Sequence, residues 1–342
     1  LERAERLARE ALDMRLRLFG PDDPEVADAV SGLAAVLHSA GRPSEAEELW
    51  RRELALRRTF PDDPDGELPS ALNNLATGLA RQDRYAEAEL LHREALALRR
   101  QTLRADHPVI SESLNNLAVA LREQGRHAEA EPLYREALEI RRRAYGPGHT
   151  RVANTLNNLG EVLRRTGRLE EAEAAHREAL EIRRAALGDE HSNVAASLHN
   201  LGVTKRDQGD LDEAERLLGE ALAMFRRALP SGHSVLASST VALGRLLTDG
   251  GDPARGEPLL REAVAIREGA GVGAVALAEA RAALGLCRLA QGHPEEGQAL
   301  LDLALPVLRA APEADAELTA AAEEARARIP DTVPAGAATT GS

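Results

Sequence analysis

The sequence predicts an all-α solenoid of antiparallel helix hairpins, and three observations carry that prediction. Leu33, Leu75, Leu117, Leu159, Leu201 and Leu243 recur at a fixed spacing of 42 residues, a period that belongs to stacked helical arrays. Each period holds two stretches with apolar residues three and four apart, the pattern of two amphipathic helices. Aromatic residues make up only 2% of the chain, too few for a conventional core, while Ala, Leu, Glu and Arg, all strong helix formers, abound. Arrays of this kind present long binding surfaces far more often than catalytic pockets.

The elements follow in chain order. Residues 1–20 align with the second helix of a unit only, because Ala4 and Ala11 fall on the repeat's own alanine positions. They are expected to form an unpaired second helix of a truncated repeat. With no initiator methionine and no partner for that helix, the chain is expected to be the carboxy-terminal portion of a longer polypeptide.

Residues 21–310 are expected to form seven hairpins, and the third shows how each is built. Pro108 follows Asp106-His107, which stops the preceding helix and pre-sets the first turn of the next. Ile110, Leu114, Leu117, Ala118 and Leu121 share one face of the first helix, and Gly125 ends it. A second helix starts near Ala128, with Glu129 and Glu131 in its first turn and Arg141, Arg142 and Arg143 in its last. That polarity suits the helix dipole at both ends.

Small residues punctuate both helices along the chain. Ala34, Ala76, Ala118, Gly160, Gly202 and Gly244 follow the anchor leucines. The second helices carry Ala46, Ala88, Ala130, Ala172 and Ala214, with Ala95, Ala137, Ala179 and Ala221 further on. Such positions let helix axes approach to about 8–10 Å. Departures gather towards the carboxyl end: Lys205 and Arg288 replace packing leucines, and Gly256 and Gly297 replace crossing alanines. Decay of this kind is expected of a capping region. Glu53 stands where other units place the second alanine. Residues 311–329 are expected to form an Ala/Glu-rich capping helix, and residues 330–342 a disordered tail.

The run of Leu-Gly/Ala, then Ala, then Ala resembles the tetratricopeptide repeat. The usual repeat has about 34 residues. The longer unit here, with SLNNLAVALREQGRHAEAEPLYREALEIRRR, resembles the repeats of kinesin light chain and their bacterial relatives. This resemblance covers nearly the whole chain. It implies a right-handed superhelix in which first helices line a concave groove and second helices face outward, and it implies peptide or protein binding. Related bacterial arrays are often joined to a kinase or a nucleotide-binding switch domain. The alternative expectation is therefore a regulatory, sensor or self-association arm of a larger signalling protein with its effector domain upstream.

Within the groove that the resemblance implies, Asn73, Asn115 and Asn157 sit two residues before their anchors, and His199 continues the row. An Asn side chain both donates and accepts, so it can grip a peptide backbone bidentately whatever the peptide's sequence. The adjacent Asn74, Asn116, Asn158 and Asn200 are expected to satisfy local backbone groups. Arg122, Arg164 and Arg206 lie five residues past their anchors, with Arg245 nearer its own. If they line the groove they form a basic trough suited to an acidic extended segment; otherwise they compensate the carboxyl ends of helices just before Gly125, Gly167 and Gly209. The arginines ending the second helices (Arg99-Arg100, Arg141 to Arg143, Arg183-Arg184, Arg226-Arg227) are read as dipole compensation.

Other chemistry is expected to be absent. His107, His149, His191 and His233 share the 42-residue spacing, so they sit in different turns about 10 Å or more apart and cannot share a metal. His92 and His176 align with Trp50 and Tyr134 and are expected to be packing residues. Gly271 to Ala276 superficially matches a dinucleotide loop, but no strand precedes it. No nucleophile elbow or phosphate loop is present. No catalytic residue, cofactor or metal is expected. The net charge of −13 disfavours nucleic acid, and no apolar run is long enough to span a bilayer. A single cysteine, Cys287, permits no internal disulfide, and a cytoplasmic location is expected.

Overall fold

The computed structural model describes residues 1–59, 67–270, 273–311 and 314–329. The expected disordered tail from Pro330, and Gly271-Val272 of the loop resembling a dinucleotide motif, lie outside them. Among the described residues every regular element is an α-helix. The helices are α1 (Glu2–Phe19), α2 (Glu25–Ser39), α3 (Pro43–Thr59), α4 (Glu67–Ala80), α5 (Tyr85–Thr102), α6 (Pro108–Glu123), α7 (His127–Tyr145) and α8 (Thr150–Arg165). They continue with α9 (Leu169–Leu187), α10 (Ser192–Asp207), α11 (Leu211–Ala228), α12 (Ser234–Asp249), α13 (Pro253–Ala270), α14 (Ala274–Ala290), α15 (Pro294–Ala310) and α16 (Ala316–Ala327). The chain divides into two compact units, Leu1–Ile182 and Arg183–Ser342, the division falling within α9. Within each unit consecutive helices pack side by side, as antiparallel hairpins joined by short turns do.

Two local devices set the hairpin. At the start of first helices α6, α8, α10 and α12, the Nδ1 of His107, His149, His191 and His233 accepts the backbone N–H two residues on, at 3.3, 3.1, 3.0 and 3.2 Å. The imidazole does here what Ser or Asp does at most N-caps, satisfying an otherwise unpaired helix donor. At the other end, Gly125 adopts a φ of 73°, its N–H bonds Arg122 O at 2.9 Å, and Arg126 N–H bonds Leu121 O at 3.0 Å. This is a Schellman closure, which needs a left-handed residue. Asp83 fills the same position after α4, at a φ of 59°.

Packing follows the repeat. In the first unit, Leu33, Leu37, Trp50, Leu72 and Leu75 form one cluster, and Leu114, Leu117, Tyr134, Leu156 and Leu159 another. In the second, Leu260, Leu284, Leu301, Leu305 and Leu318 are joined. The glycines at Gly256 and Gly297 do not mark decay. A Cβ on Gly256 would lie 2.7 Å from Gly244 O, and one on Gly297 would lie 3.0 Å from Gly285 O. Backbones approach there more closely than alanine allows. Arg288, in place of a leucine, makes ion pairs with Glu257 (3.0 Å) and Glu296 (2.7 Å).

The arginines at the ends of second helices do more than compensate dipoles. Three of them, unlike the exposed Arg226, are buried and reach the next first helix: Arg99 to Ser113 Oγ at 2.7 Å, Arg141 to Thr155 Oγ1 at 2.6 Å and, in the second unit, Arg183 to Ser197 Oγ at 2.9 Å. The following residue bridges to the next second helix, as in Arg100–Glu136 (2.7 Å), Arg142–Glu178 (2.6 Å) and Arg184–Glu220 (3.2 Å). A further ladder joins turn to preceding hairpin, Arg84 to Glu47 (2.6 Å) and Arg126 to Glu89 (2.7 Å). Burial alone would raise the Glu89 carboxyl, but the bonds from Gln124 and Arg126 outweigh it and hold the group below its ordinary range.

Candidate functional site

In the first unit the two asparagine rows meet. Asn116 Nδ2 donates to Asn73 Oδ1 at 2.9 Å, and Asn158 Nδ2 donates to Asn115 Oδ1 at 3.3 Å. Each bond ties a first helix to the one before it, α6 to α4 and α8 to α6. Asn74, Asn116 and Asn158 of the second row therefore bond side chains of the preceding first helix and not the local backbone groups expected. The acceptor of Asn73 and of Asn115 is engaged, so the bidentate grip expected of them reduces to what their NH2 groups can donate. Asn157 differs. It is buried, and its Oδ1 lies 3.2 Å from His176 Nδ1, inside the hairpin of α8 and α9. His176 occupies the expected packing slot so closely that a Cβ on Gly160 would fall 2.5 Å from its ring.

The arginine row carries its own carboxylates. Arg122 pairs with the neighbouring Glu123, and its Nη1 donates to Asn158 Oδ1 at 3.3 Å. Arg164 pairs with Glu161 at 2.8 Å, and Arg165 binds the same carboxylate at 2.9 Å. Burial alone would raise Glu161, but these two guanidiniums hold its carboxyl well below the usual range. The expected basic trough is thus a row of ion pairs. Arg122, Arg164 and Arg206 do stand in the last turns of α6, α8 and α10, where a positive charge compensates the helix dipole. Beneath Arg122 in the same hairpin, Tyr134 is fully buried, and burial pushes its hydroxyl up to about 12.

In the second unit, His199 is half-buried on α10. Arg206 binds Asp207 at 2.6 Å and lies 4.0 Å from Glu317, while Arg245 Nη1 meets Asp315 Oδ2 at 2.6 Å. A cavity of about 130 Å³ lies between α12, α14 and α16, lined by Arg245, Thr248, Asp249, Leu286, Glu317 and Leu318 among others.

The acids opposite the arginines escaped the sequence reading. Glu161, three residues before Arg164, was the one signal available, since residues so spaced are neighbours on a helix. Asp315, 70 residues from Arg245, gave none. Among the described residues no group of three or more His, Cys, Asp or Glu is placed to hold a metal ion, and no helix is long and apolar enough to cross a membrane. Cys287 is buried, donates to Pro253 O at 3.3 Å, and has its thiol pushed up by burial.

Stacked hairpins with a row of polar side chains along their first helices define a scaffold that holds other chains. The comparisons give the particular family. The tetratricopeptide repeat model matches residues 1–59, 67–143, 109–185, 151–227 and 194–269, and the chain belongs to that family. Among solved structures it is similar to BtubC (BKLC) from P. vanneervenii, with 28% identity over 68% of this chain and 93% of that one, at a TM-score of 0.55. It is also similar to a putative kinesin light chain with nearly identical TPR-like repeats from Podosopora anserina, with 23% identity over 60% and 97% and a TM-score of 0.54. The apo form of the quorum sensor NprR from B. thuringiensis shares the fold, with 16% identity over 90% and 83% and a TM-score of 0.67. No curated protein matches the chain.

Proposed function

We propose that the chain is a non-catalytic, cytoplasmic interaction module of the kinesin light chain type, and that the first-helix face of its first unit holds an extended acidic segment of another protein. The observation that carries this reading is the asparagine ladder. Asn73 and Asn115 are fixed by bonds at 2.9 and 3.3 Å, so their NH2 groups stand pre-organised at intervals of one repeat, a spacing that suits carbonyls of an extended chain. Arg122 and Arg164 supply the preference for acid. A guanidinium has five N–H donors, so a ligand carboxylate can share Arg122 with Glu123 or replace it.

A peptide-array screen of the full chain at low and high salt tests this beside the Asn73→Ala/Asn115→Ala variant. Losing two donors worth about 0.5–1.5 kcal/mol each should weaken binding about tenfold or more. The loss of the bonds from Asn116 and Asn158 should lower the melting temperature by a few degrees and leave the helical signal below it intact. High salt should weaken what remains. Binding of acidic peptides that the variant leaves intact removes the face from consideration. Asn157→Ala serves as the structural control, since it breaks the contact with His176.

A second reading, a docking or self-association arm of a larger signalling protein, is favoured by one observation. Leu7, Met14 and Leu18 lie along one stripe of α1 and are 52%, 62% and 68% exposed. Light scattering of the chain beside Leu7→Glu/Met14→Glu decides it: a dimer that dissociates in the variant supports the arm, and a monomer in both removes self-association.

A further inference from the structure

The second unit carries a segment of the chain across the face that the first unit leaves to the asparagines. α16 packs against both helices of the last hairpin, α14 and α15, burying Leu318 and Ala322 with Leu305 and Leu308. Its acidic start reaches further. Asp315 caps the helix by accepting Leu318 N–H at 3.0 Å through Oδ1, and gives Oδ2 to Arg245 of α12 at 2.6 Å. Its own N–H donates to Glu279 of α14 at 3.0 Å. Glu317 stands 4.0 Å from Arg206 of α10. One short acidic stretch therefore reaches three successive first helices: it pairs closely with Arg245 and stands at the edge of contact with Arg206, whose nearer partner is Asp207 at 2.6 Å.

We propose that α16 is a tethered occupant of the Arg206–Arg245 face, an internal competitor that an acidic segment of a partner must displace before it can bind the second unit. The device rests on the acidic-segment reading above and extends it to regulation. Three features make α16 displaceable. At 12 residues it is too short to hold a helix alone in water, so its order depends on docking. Its remaining clasps, Arg309–Glu323 at 2.7 Å and Arg326–Asp302 at 2.5 Å, join partly exposed groups and hold weakly. The cleft of about 130 Å³ beside Arg245 and Leu318, lined also by the exposed Asp249 and Glu317, gives solvent access to the contact that a partner must break.

The test uses the full chain carrying Asp315→Asn and Glu317→Gln. Asn caps a helix as well as Asp does, and Leu318 is kept, so α16 still folds while its carboxylates leave the arginines. The probe is a labelled peptide with this chain's residues 314–329, added in trans. It should bind the variant at least tenfold tighter than the unaltered chain, and Arg206→Ala/Arg245→Ala placed in the variant should abolish the gain. In the unaltered chain, excess peptide should speed amide exchange across 316–327. Equal affinity for the two chains, a gain that survives loss of both arginines, or unchanged exchange overturns the proposal. Because binding to the first unit is read through Asn73 and Asn115, failure here leaves that reading standing, and its failure does not move these measurements.

Discussion

The two units are built from one repeat and differ in what fills its variable positions. In the first unit the slot residues of successive second helices are Trp50, His92, Tyr134 and His176; in the second they are Leu218, Leu260 and Leu301. Among the described residues Trp50 Nε1, His92 Nδ1 and Tyr134 Oη are buried without a hydrogen-bond partner, a cost that the leucines avoid. The polar row along the first helices differs in parallel. Asparagines tied to one another run along α4, α6 and α8, whereas in the second unit Arg245 is paired with the start of α16 and Arg206 with its own neighbour Asp207. The repeat thus has a constant part that packs and a variable part that, in the function proposed above, would recognise a ligand. The first unit accepts buried polar atoms in the hairpins that carry its asparagine row, and the second packs apolar side chains there and is covered by α16 of its own chain.

The largest expected effect lies in that slot. Leu260 is fully buried against Gly244, and Leu260→Ala should destabilise the second unit by about 4 kcal/mol through lost contacts and a residual cavity. Tyr134→Phe, the corresponding probe of the first unit, removes only an unpaired hydroxyl and should be neutral or stabilise by about 1 kcal/mol. Urea unfolding followed by amide exchange in each unit reads both. A substantial loss in Tyr134→Phe would show that the hydroxyl is satisfied, and the contrast between the slots would collapse.

Next in size is a buried acid. Glu53 of α3 stands at a position given to alanine elsewhere, only 3% exposed, with one carboxylate oxygen unpaired. Burial pushes its carboxyl up to about 7, against smaller opposing effects of Ser31 and Arg57. The folded state then binds the proton more tightly than the unfolded chain. Its stabilising share is complete below about pH 4.5 and is lost as pH rises through about 7, a penalty of about 3 kcal/mol at pH 8. Glu53→Gln should flatten this decline, raising stability at pH 8 and leaving it nearly unchanged at pH 4.5. Parallel melting curves of the two proteins across that range would rule the effect out.

The histidine caps should not distinguish the units. His107 and His149 belong to one, His191 and His233 to the other, and all four accept through Nδ1. Each His→Ala should cost about 1 kcal/mol, and each His→Asn, which caps as well, should cost little. A marked inequality between the units in denaturant melts would show that tertiary context, not the cap, sets the value.

These cases mark what the sequence made legible. The 42-residue period, the small residues at crossings, the glycine closures and the oddity of Glu53 were all readable, because each is a local demand on one position. The candidate site was legible only as rows. Repeat register shows that Asn73 and Asn115 are equivalent, but not that Asn116 reaches back 43 positions to Asn73, which depends on the offset between neighbouring helices. Likewise the spacing of Arg206 and Arg245 suggested a basic trough. Asp207 stands next to Arg206 in the chain, but the pairing of Arg245 with Asp315, 70 residues away, follows from the path of α16, which no periodicity encodes. Gly256 was misread for a similar reason: an isolated glycine looks like decay until its backbone is seen against Gly244 O.

The smallest expected effect tests the constant part of the repeat at its one irregular closure in the first unit. Gly41, Gly125 and Gly167 end their first helices with φ between 73° and 78°, and Asp83 does so at 59°. The same backbone bonds form there, Asp83 N–H to Ala80 O at 3.1 Å and Arg84 N–H to Leu79 O at 3.1 Å, so the motif is intact and only the side chain is unfavourable. A Cβ in the left-handed region costs about 1–2 kcal/mol, less for Asp, and glycine's freedom in the unfolded chain offsets part of the gain. Asp83→Gly should therefore stabilise the first unit by about 0.5 kcal/mol. It also removes the hydrogen bond from the Tyr85 hydroxyl to the Asp83 carboxylate, at 3.0 Å. A loss of stability in the variant would mean that this exposed bond outweighs the backbone strain, and Tyr85→Phe in the native background would then reproduce the loss.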